Sequence, residues 1–388
     1  MIRKRSPEVI ARGKRIKALR KERLRAEIKA LNEVKPRSTK SKILNALFIL
    51  AVFFGLIIYI INVDGTEKIS YILSTANYGW VALGLVFALL EWTFEAVGIH
   101  IPLKTMYPKH KFMTSFKSNL VGKMFNNITP FSSGGQPFQA FVLTKYGLKM
   151  SDTFSVLMMK FIVYEICLFS WVLILLGLNF DFFNHIFGEN IPLIVLGFVM
   201  NLIAVSFILV AGVNKKFILK IVKPIIRLAA KIKVIKKHFI KDVDEAIKHA
   251  EESISNYSNQ FNEIRRQRRN LLKMYTVGMI QLLCYFSITY TIYKAFGNSG
   301  TSYLQIVMVQ SYLLLTMSFI PTPGSGLGAE GLFGAFFSMI FTNGANIAIL
   351  FWRMYTYYLP IVLGPFIFVS MNRKMVDDEF KIKNKANS

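Results

Sequence analysis

The chain has 388 residues, of which 53% are hydrophobic and 34 are phenylalanine. Several apolar runs reach about 20 residues, the length that a helix needs to cross the hydrocarbon core of a bilayer. The composition therefore predicts a multi-span membrane protein and excludes a soluble globular enzyme. The 48 basic and 22 acidic residues give a net charge of +26, and their uneven distribution predicts which loops face the cytoplasm.

The first 42 residues carry 16 Lys and Arg against four Asp and Glu. This segment predicts a basic amphipathic helix on the cytoplasmic side, either as a solvated tail or adsorbed to anionic lipid. No aromatic residue lies between the basic ones, so RNA binding is poorly supported. The apolar run that follows is longer than that of a cleavable signal peptide and predicts a signal anchor.

The apolar runs predict about six membrane spans, at residues 43–62, 78–99, 152–178, 191–213, 271–296 and 346–371. The loops at 63–77 and 179–190 carry acidic side chains and are predicted to face outward. The loop at 100–123 has five lysines and no acidic residue, so it is predicted to be cytoplasmic. Lys160 lies closer to the inner end of its span and could extend its ammonium group toward the inner surface.

The pattern divides the chain into a basic helix at 1–42, a transmembrane domain at 43–371 and a cytoplasmic tail at 372–388. Residues 214–270 form a long basic insert in the transmembrane domain. It is predicted to be cytoplasmic and mostly helical, lying along the membrane surface or packing under the bundle. The insert lacks strand patterns and is too small for a separate catalytic domain.

Two stretches rich in Pro and Gly, at 126–137 and 321–331, interrupt apolar runs and predict irregular backbone. Such backbone survives at membrane depth only where protein or trapped water satisfies its polar groups. Basic residues flank segment 125–146 on both sides, which predicts a re-entrant hairpin from the cytoplasmic side. The second break, between the runs at 303–320 and 332–341, predicts a matching hairpin from outside.

The halves at 43–178 and 191–371 then have the same order of elements in opposite orientations. The predicted fold is an all-α polytopic membrane protein with an inverted-topology repeat, about six full spans and two re-entrant helical hairpins. A competing topology treats residues 332–341 as a short true span and leaves the repeat less regular.

Three sets of residues resemble the signatures of the lysylphosphatidylglycerol synthase transmembrane (flippase-like) family. The first set is Asn127–Ile128–Thr129–Pro130, Gly134–Gly135–Gln136–Pro137 and Lys145–Tyr146–Gly147. The second is Pro321–Thr322–Pro323–Gly324 with Gly326, Gly328 and Glu330–Gly331, and the third is Arg353 with Tyr357 and Pro360. The resemblance covers residues 43–371. Gln136 is a departure, because the family usually has Glu at that position.

The resemblance implies a membrane part that moves an aminoacylated lipid to the outer leaflet, which lowers sensitivity to cationic antimicrobial peptides. In full-length members a soluble C-terminal domain transfers lysine from charged tRNA to phosphatidylglycerol. This chain ends at Ser388, about 17 residues after its last predicted span. We therefore expect no synthase activity from the chain itself.

The candidate substrate-binding residues are polar or helix-breaking groups predicted at membrane depth. They are Glu330, Arg353, Glu165, Gln136, Asn127, Thr129, Gly134, Gly135, Pro323 and Gly324. Glu330 and Arg353 are predicted to bind a headgroup or couple protons, or to form an ion pair that only fixes the hairpin. The first hairpin's polar groups either contact a headgroup or bond within the hairpin. Glu91 and Glu95 lie on one helix face and could share a proton or line an inner vestibule.

We therefore expect translocation of a phospholipid or lipid-linked molecule, for example aminoacylated phosphatidylglycerol, between leaflets of the cytoplasmic membrane. The alternatives are a membrane partner of a separate lipid-modifying synthase or glycosyltransferase, and a small-solute secondary transporter. The expected partners are anionic or aminoacylated lipids, with no nucleic acid. The sequence contains no metal-ligand spacing, nucleophile triad or phosphate-binding loop, so no cofactor is expected. Cys167 and Cys284 fall in apolar runs and are expected to pack there.

Overall fold

The computed structural model describes residues 66–129, 132–188, 191–230, 242–317, 326–368 and 370. In these ranges the chain is almost entirely helical and forms no strand. The helices are α1 (Thr66–Thr75), α2 (Tyr78–Met106), α3 (Phe112–Ile128), α4 (Gly135–Lys145), α5 (Met150–Leu178), α6 (Phe180–Phe187), α7 (Ile191–Val213), α8 (Lys215–Ala229), α9 (Val243–Arg266), α10 (Arg268–Ala295), α11 (Tyr303–Met317), α12 (Gly326–Phe337) and α13 (Ala345–Arg353). A π-helical turn, Met354–Tyr358, follows α13.

Five helices in the described ranges are long and apolar enough to cross a membrane: α2, α5, α7, α10 and the segment Ala345–Phe368 that contains α13. Helices are thus confirmed at five of the six predicted spans, with ends shifted by up to seven residues. The sixth, at 43–62, lies outside the described residues, as do the basic helix at 1–42 and the tail at 372–388. The chain is an all-α polytopic membrane protein.

The prediction of a loop over the whole of 100–123 is wrong; its cytoplasmic side stays a prediction. Helix α2 continues to Met106, and α3 begins at Phe112, so only residues 107–111 connect them. Lys123, the last of the five lysines, does not lie in a loop but on α3, where it pairs with acidic side chains of α2. The first hairpin therefore consists of α3 and α4, and its first arm is longer than the predicted segment 125–146.

Two other predictions of irregular backbone also need correction. Helix α6 lies within the predicted loop at 179–190, where Phe183 and Phe187 pack against Tyr312. Helix α12 begins at Gly326, inside the predicted break at 321–331. Its phenylalanines Phe333, Phe336 and Phe337 are fully buried. Their packing outweighs the low helix propensity of the nearby glycines. Residues 318–325 lie outside the described ranges.

Helices α2 and α10 pack together along their length at the centre of the described structure. The Asn77 side chain caps α2 at Gly79, and its backbone amide bonds to the Ala295 carbonyl, which joins the ends of the two helices. At Gly84 a Cβ atom would lie 2.7 Å from the Thr291 hydroxyl, so only glycine allows this approach. Cys167 and Cys284 are buried and unlinked, as expected.

The basic insert contains α8 and α9, with residues 231–241 outside the described ranges. Helix α9 packs against α5 and α7. Ser258 and Asn262 of α9 both donate hydrogen bonds to the Gly212 carbonyl at the end of α7. Lys223 of α8 pairs with Glu251 of α9 across these two described helices of the insert. The predicted packing of the insert against the bundle is confirmed for α9.

Candidate functional site

Four charged side chains meet among α2, α3 and α5 and are here called the four-charge cluster: Glu91 and Glu95, which are buried, and Lys123 and Lys160, which are half-buried. The Lys123 Nζ atom lies 3.0 Å from each carboxylate oxygen of Glu91 and 2.7 Å from Oε2 of Glu95. Lys160 donates to Oε1 of Glu95. On the remaining side, Gln281 of α10 donates a 3.0 Å hydrogen bond to Glu91. Each carboxylate therefore has a cation in direct contact.

The helical repeat explains how α2 contributes two acids to one place. Glu91 and Glu95 are four residues apart and lie one above the other on one face, as predicted. Lys123 lies between their carboxylates. Lys160 pairs with Glu95, and its predicted extension toward the inner surface stays a prediction. The apolar neighbours of Lys123 in the sequence, Val121 and Met124, could have indicated that it is enclosed. Both neighbours are buried in the structure.

The first hairpin is fixed to α2 beside this cluster. Asn119 of α3 donates to the Trp92 carbonyl at 3.1 Å and accepts from Gln139 of α4 at 3.3 Å. Gly122 allows the two arms to approach, because a Cβ atom there would overlap the Gln139 side chain at 2.3 Å. The hairpin arms and the cluster therefore share one packed, hydrogen-bonded environment.

Several predicted site residues bond within the turn of the first hairpin. The Gly134 amide donates to the Thr129 hydroxyl at 2.8 Å, and the Gly135 amide donates to Oδ1 of Asn126 at 2.7 Å. A Cβ atom at Gly135 would lie 2.1 Å from that oxygen. Thr129, Gly134 and Gly135 are therefore brought together by bonds that hold the turn itself. Gln136 is half-buried close by.

Asn127 connects the first hairpin to the last candidate span. Its amide donates to the Tyr357 carbonyl at 3.0 Å and to the Thr356 carbonyl at 3.4 Å. Both carbonyls belong to the π-turn, where the ordinary α-helical bonding pattern is interrupted. The side chain thus satisfies backbone groups that the wide turn exposes. This contact places the first hairpin next to the residues that follow Arg353.

Glu330 and Arg353, here called the arginine pair, are brought together as the sequence suggested. The Arg353 Nε atom lies 3.4 Å from Oε1 of Glu330, and Arg353 is 2% exposed. Its guanidinium carbon lies 4.8 Å from the ring centre of Trp352 and 5.1 Å from that of Tyr357. Aromatic faces favour a nearby cation, so the guanidinium is stabilised by more than one kind of contact.

Tyr285 of α10 interacts with both charged groups. Its hydroxyl interacts electrostatically with Arg353 of the arginine pair and with Glu91 and Lys123 of the four-charge cluster. Tyr285 lies one helical turn beyond Gln281 on α10, and Gln281 contacts the four-charge cluster. The two charged groups are therefore neighbours in one polar interior.

The remaining predicted site residues have different surroundings. Glu165 is buried near the middle of α5, and its Oε2 atom accepts no hydrogen bond from the described residues. Lys160 lies on the same helix but contacts Glu95 instead. Pro323 and Gly324 lie outside the described residues.

A small cleft lies beside the four-charge cluster. It is lined by Gly98, Lys160, Val163, Tyr164, Met274, Val277, Gly278 and Gln281.

The connection between α2 and α3 carries a second set of titratable groups, outside the spans. The Tyr107 hydroxyl donates to Asp152 at 2.5 Å, and burial together with this bond raises the pKa of Tyr107 to about 12. His110 contacts the Ser115 hydroxyl at 2.7 Å. Burial, helped by nearby His100 and Lys104, lowers the pKa of His110 to about 4. Across the described residues, no group of three His, Cys, Asp or Glu could hold a metal ion.

The fold and its buried charges define a class: a polytopic helical membrane protein with charged side chains enclosed among its candidate spans. Comparison with known proteins then identifies the family. The family described as the lysylphosphatidylglycerol synthase TM region matches residues 43–364, so the chain belongs to it. This confirms the resemblance seen in the motifs. The chain is also similar to a UPF0104 membrane protein of Archaeoglobus fulgidus. Their identity is 22% over 331 residues, which cover 81% of this chain and 92% of the relative.

Proposed function

We propose that this protein translocates a phospholipid or lipid-linked molecule between the leaflets of the cytoplasmic membrane. The observation that carries the proposal is the enclosure of charged side chains on helices long enough to span a bilayer: Glu95 lies near the middle of α2, and Arg353 lies within the segment Ala345–Phe368. Each is paired with an opposite charge on a shorter helix, Lys123 of α3 and Glu330 of α12. Charges at that depth are costly and are typical of a transport pathway. Membership in a lipid-related family supports a lipid as the cargo.

The proposed headgroup site is the arginine pair together with the neighbouring tip of the first hairpin. A guanidinium matches the oxygens of a phosphate group, and a carboxylate matches an amine. Asn127 lies next to this region through its contact with the π-turn. A headgroup that carries both a phosphate and an amine, as in lysylphosphatidylglycerol, fits these two charges best. Moving such a lipid outward would reduce the attraction of cationic antimicrobial peptides.

We further propose that α3 with α4, and α11 with α12, are re-entrant hairpins of an inverted repeat, with both chain termini in the cytoplasm. Cysteine labelling in intact cells tests this arrangement. A cysteine at Ser132 should react only with reagent supplied from the cytoplasm, and one at Ser325 only with reagent from outside. Reaction of both positions from the same side would contradict the repeat.

Translocation is tested in proteoliposomes that contain lysylphosphatidylglycerol in both leaflets. A membrane-impermeant amine reagent should modify only the outer half of this lipid in protein-free vesicles and nearly all of it when the protein is present. Glu330→Gln should slow the modification of the lipid that starts in the inner leaflet. Ser338→Ala, an exposed change near the end of α12, should not slow it. Equal modification in vesicles with and without the protein would contradict the proposal for this lipid. The same assay with unmodified phosphatidylglycerol carrying a headgroup label tests the wider lipid class.

A further inference from the structure

Glu165 has a contact pattern unlike that of the other buried acids in the candidate spans and hairpins. It lies near the middle of the 29-residue helix α5, and it is 3% exposed. Its Oε2 atom accepts no hydrogen bond from any described residue. A buried carboxylate anion without such a partner is strongly disfavoured, whereas the neutral acid is far less costly to bury.

The balance of charges in the buried interior also favours a neutral Glu165. The described acids at this depth are Glu91, Glu95, Glu165 and Glu330, and the described cations are Lys123, Lys160 and Arg353. Lys123 contacts Glu91 and Glu95, Lys160 contacts Glu95, and Arg353 contacts Glu330. The four acids exceed the three cations by one. The acid without a cation in contact, within the described part of the chain, is Glu165.

The surroundings of Glu165 also supply a cation that could reach it. Lys160, five residues earlier on α5, interacts with Glu165 electrostatically while it contacts Glu95. Glu95 would keep Lys123 at 2.7 Å if Lys160 moved away. Lys160 is therefore the one cation of the four-charge cluster that can change partner without leaving a carboxylate unpaired.

Other titratable groups face this region from the neighbouring helices. Tyr164 on α5 interacts electrostatically with Glu165, with Tyr285 of α10, and with Glu95 and Glu91 of α2. Further along α5, the hydroxyl of Tyr275 on α10 bonds to Ser170, and that of Tyr312 on α11 bonds to the Val172 carbonyl. These hydroxyls already have partners. Lys160 and Tyr164, which both interact with Glu165, line the small cleft beside the cluster.

We propose that Glu165 is a proton-binding site, occupied in the conformation described here and emptied when Lys160 turns from Glu95 to Glu165. The O–H bond of the Glu165 carboxyl breaks, and the proton passes to water in the cleft. The carboxylate then accepts an N–H of the Lys160 ammonium group, while Glu95 retains Lys123. Proton binding stands on its own; its use to drive lipid movement rests on the proposed function.

Infrared difference spectroscopy of the full-length protein in lipid membranes tests proton binding directly. At neutral pH the wild type should show the carbonyl stretch of a buried protonated carboxyl. Glu165→Gln should lose this band, Glu67→Gln, an exposed control on α1, should keep it, and Glu165→Asp should shift it. Alkaline buffer should abolish the band in the wild type. In Lys160→Met the band should persist in alkaline buffer, because the cation that stabilises the anion is gone.

Two results would overturn the proton site: a carboxyl band unchanged in Glu165→Gln and Glu165→Asp, or a wild-type band that is absent at neutral pH.

The coupling is tested separately in proteoliposomes. Reversing an imposed pH gradient should change the translocation rate of the wild type several-fold and that of Glu165→Gln little. Translocation that ignores the gradient would overturn the coupling but leave lipid movement intact. A titrating band in a protein that moves no lipid would overturn the proposed function but leave the proton site intact.

Discussion

The four-charge cluster and the arginine pair are two buried ionic groups in one interior, but they are built differently. In the cluster, Lys123 contacts three carboxylate oxygens at 2.7–3.0 Å, and Gln281 adds a hydrogen bond from a fourth helix. In the arginine pair, the Arg353 Nε atom lies 3.4 Å from Glu330, with two aromatic rings beside the guanidinium. The first group is tightly bonded across four helices. The second has a looser ionic contact.

This difference assigns different tasks to the two groups. Removing Lys123 leaves Glu91 without a cation in contact, and removing Glu95 leaves Lys160 without an acid in contact, so the cluster is suited to holding α2, α3, α5 and α10 in place. A site that binds and releases a headgroup needs charges that can exchange partners. The looser contact of the arginine pair is compatible with such exchange, because a phosphate or an amine could replace one member at little geometric cost. The following variants test this division.

The largest effect is expected for Lys123→Met. It leaves Glu91 and Glu95 adjacent without their shared cation, and breaking a buried ion pair costs about 3–5 kcal/mol. Thermal unfolding in detergent should show a large loss of stability or no folded protein. Lys111→Met removes an exposed lysine at the start of the same helix and is the matched control. Similar unfolding temperatures for the two variants would show that the cluster is not structural.

Glu330→Gln should have a smaller effect on stability and a larger one on transport. Because the contact between Glu330 and Arg353 is looser, the substitution should lower the free energy of unfolding by about 3 kcal/mol or less, the low end for buried pairs. Arg353→Lys keeps the charge but loses the planar group that lies over Trp352 and Tyr357, and it should also slow lipid movement. Purified yield, thermal unfolding and the proteoliposome assay together separate the two effects. Transport at the wild-type rate in both variants would remove the arginine pair from the site.

Asn127→Ala tests whether the first hairpin cooperates with the arginine pair. Loss of its bonds to the π-turn should lower stability by about 1–2 kcal/mol and slow translocation. Asn126→Ala is the neighbouring comparison, since among the described residues that side chain bonds to the Gly135 amide within the turn and not to the last span. It should cost a similar amount of stability with less effect on transport. The reverse order of transport rates would mean that the hairpin turn, and not its link to the last span, matters for movement.

The smallest expected effect is a pH dependence of stability due to His110. Its pKa is about 4 in the folded protein and ordinarily 6.5, so the unfolded chain binds more protons between these values. The contribution of His110 to the free energy of unfolding is complete above about pH 6.5 and declines as the pH falls toward about 4. Unfolding temperatures of His110→Asn should therefore fall less steeply with acidification than those of the wild type. His249→Asn, which removes an exposed histidine of α9, should follow the wild type. A slope unchanged in His110→Asn would contradict this assignment.

The spans could be predicted because their signal is local. A run such as Ile191–Val213 is apolar along its whole length, and its helix has the predicted bounds. The arginine pair could be anticipated because two opposite charges lie on successive apolar elements. In both cases the information is contained in short stretches of chain.

The four-charge cluster could not be predicted because its partners are far apart in the sequence. Lys123 and Glu91 are separated by 32 residues, and Gln281 and Glu91 by 190. Charge bias treats a lysine as a marker of the cytoplasm, whereas burial depends on which helix it faces. For the same reason, the glycines of α12 suggested irregular backbone, although tertiary packing holds them in a helix. Local propensity does not contain these contacts.

The π-turn has a consequence for the contacts of the last candidate span. A wide turn accommodates one residue more than an α-helix would, and it absorbs that residue locally, so the helical parts before and after it keep their mutual orientation. Deleting one residue from Met354–Tyr358 would restore regular winding and leave Arg353 pointing in nearly the same direction. The deletion would instead return the carbonyls of Thr356 and Tyr357 to α-helical bonding and remove the acceptors that Asn127 uses. The link between the first hairpin and the last candidate span is thus encoded by chain length as well as by residue type.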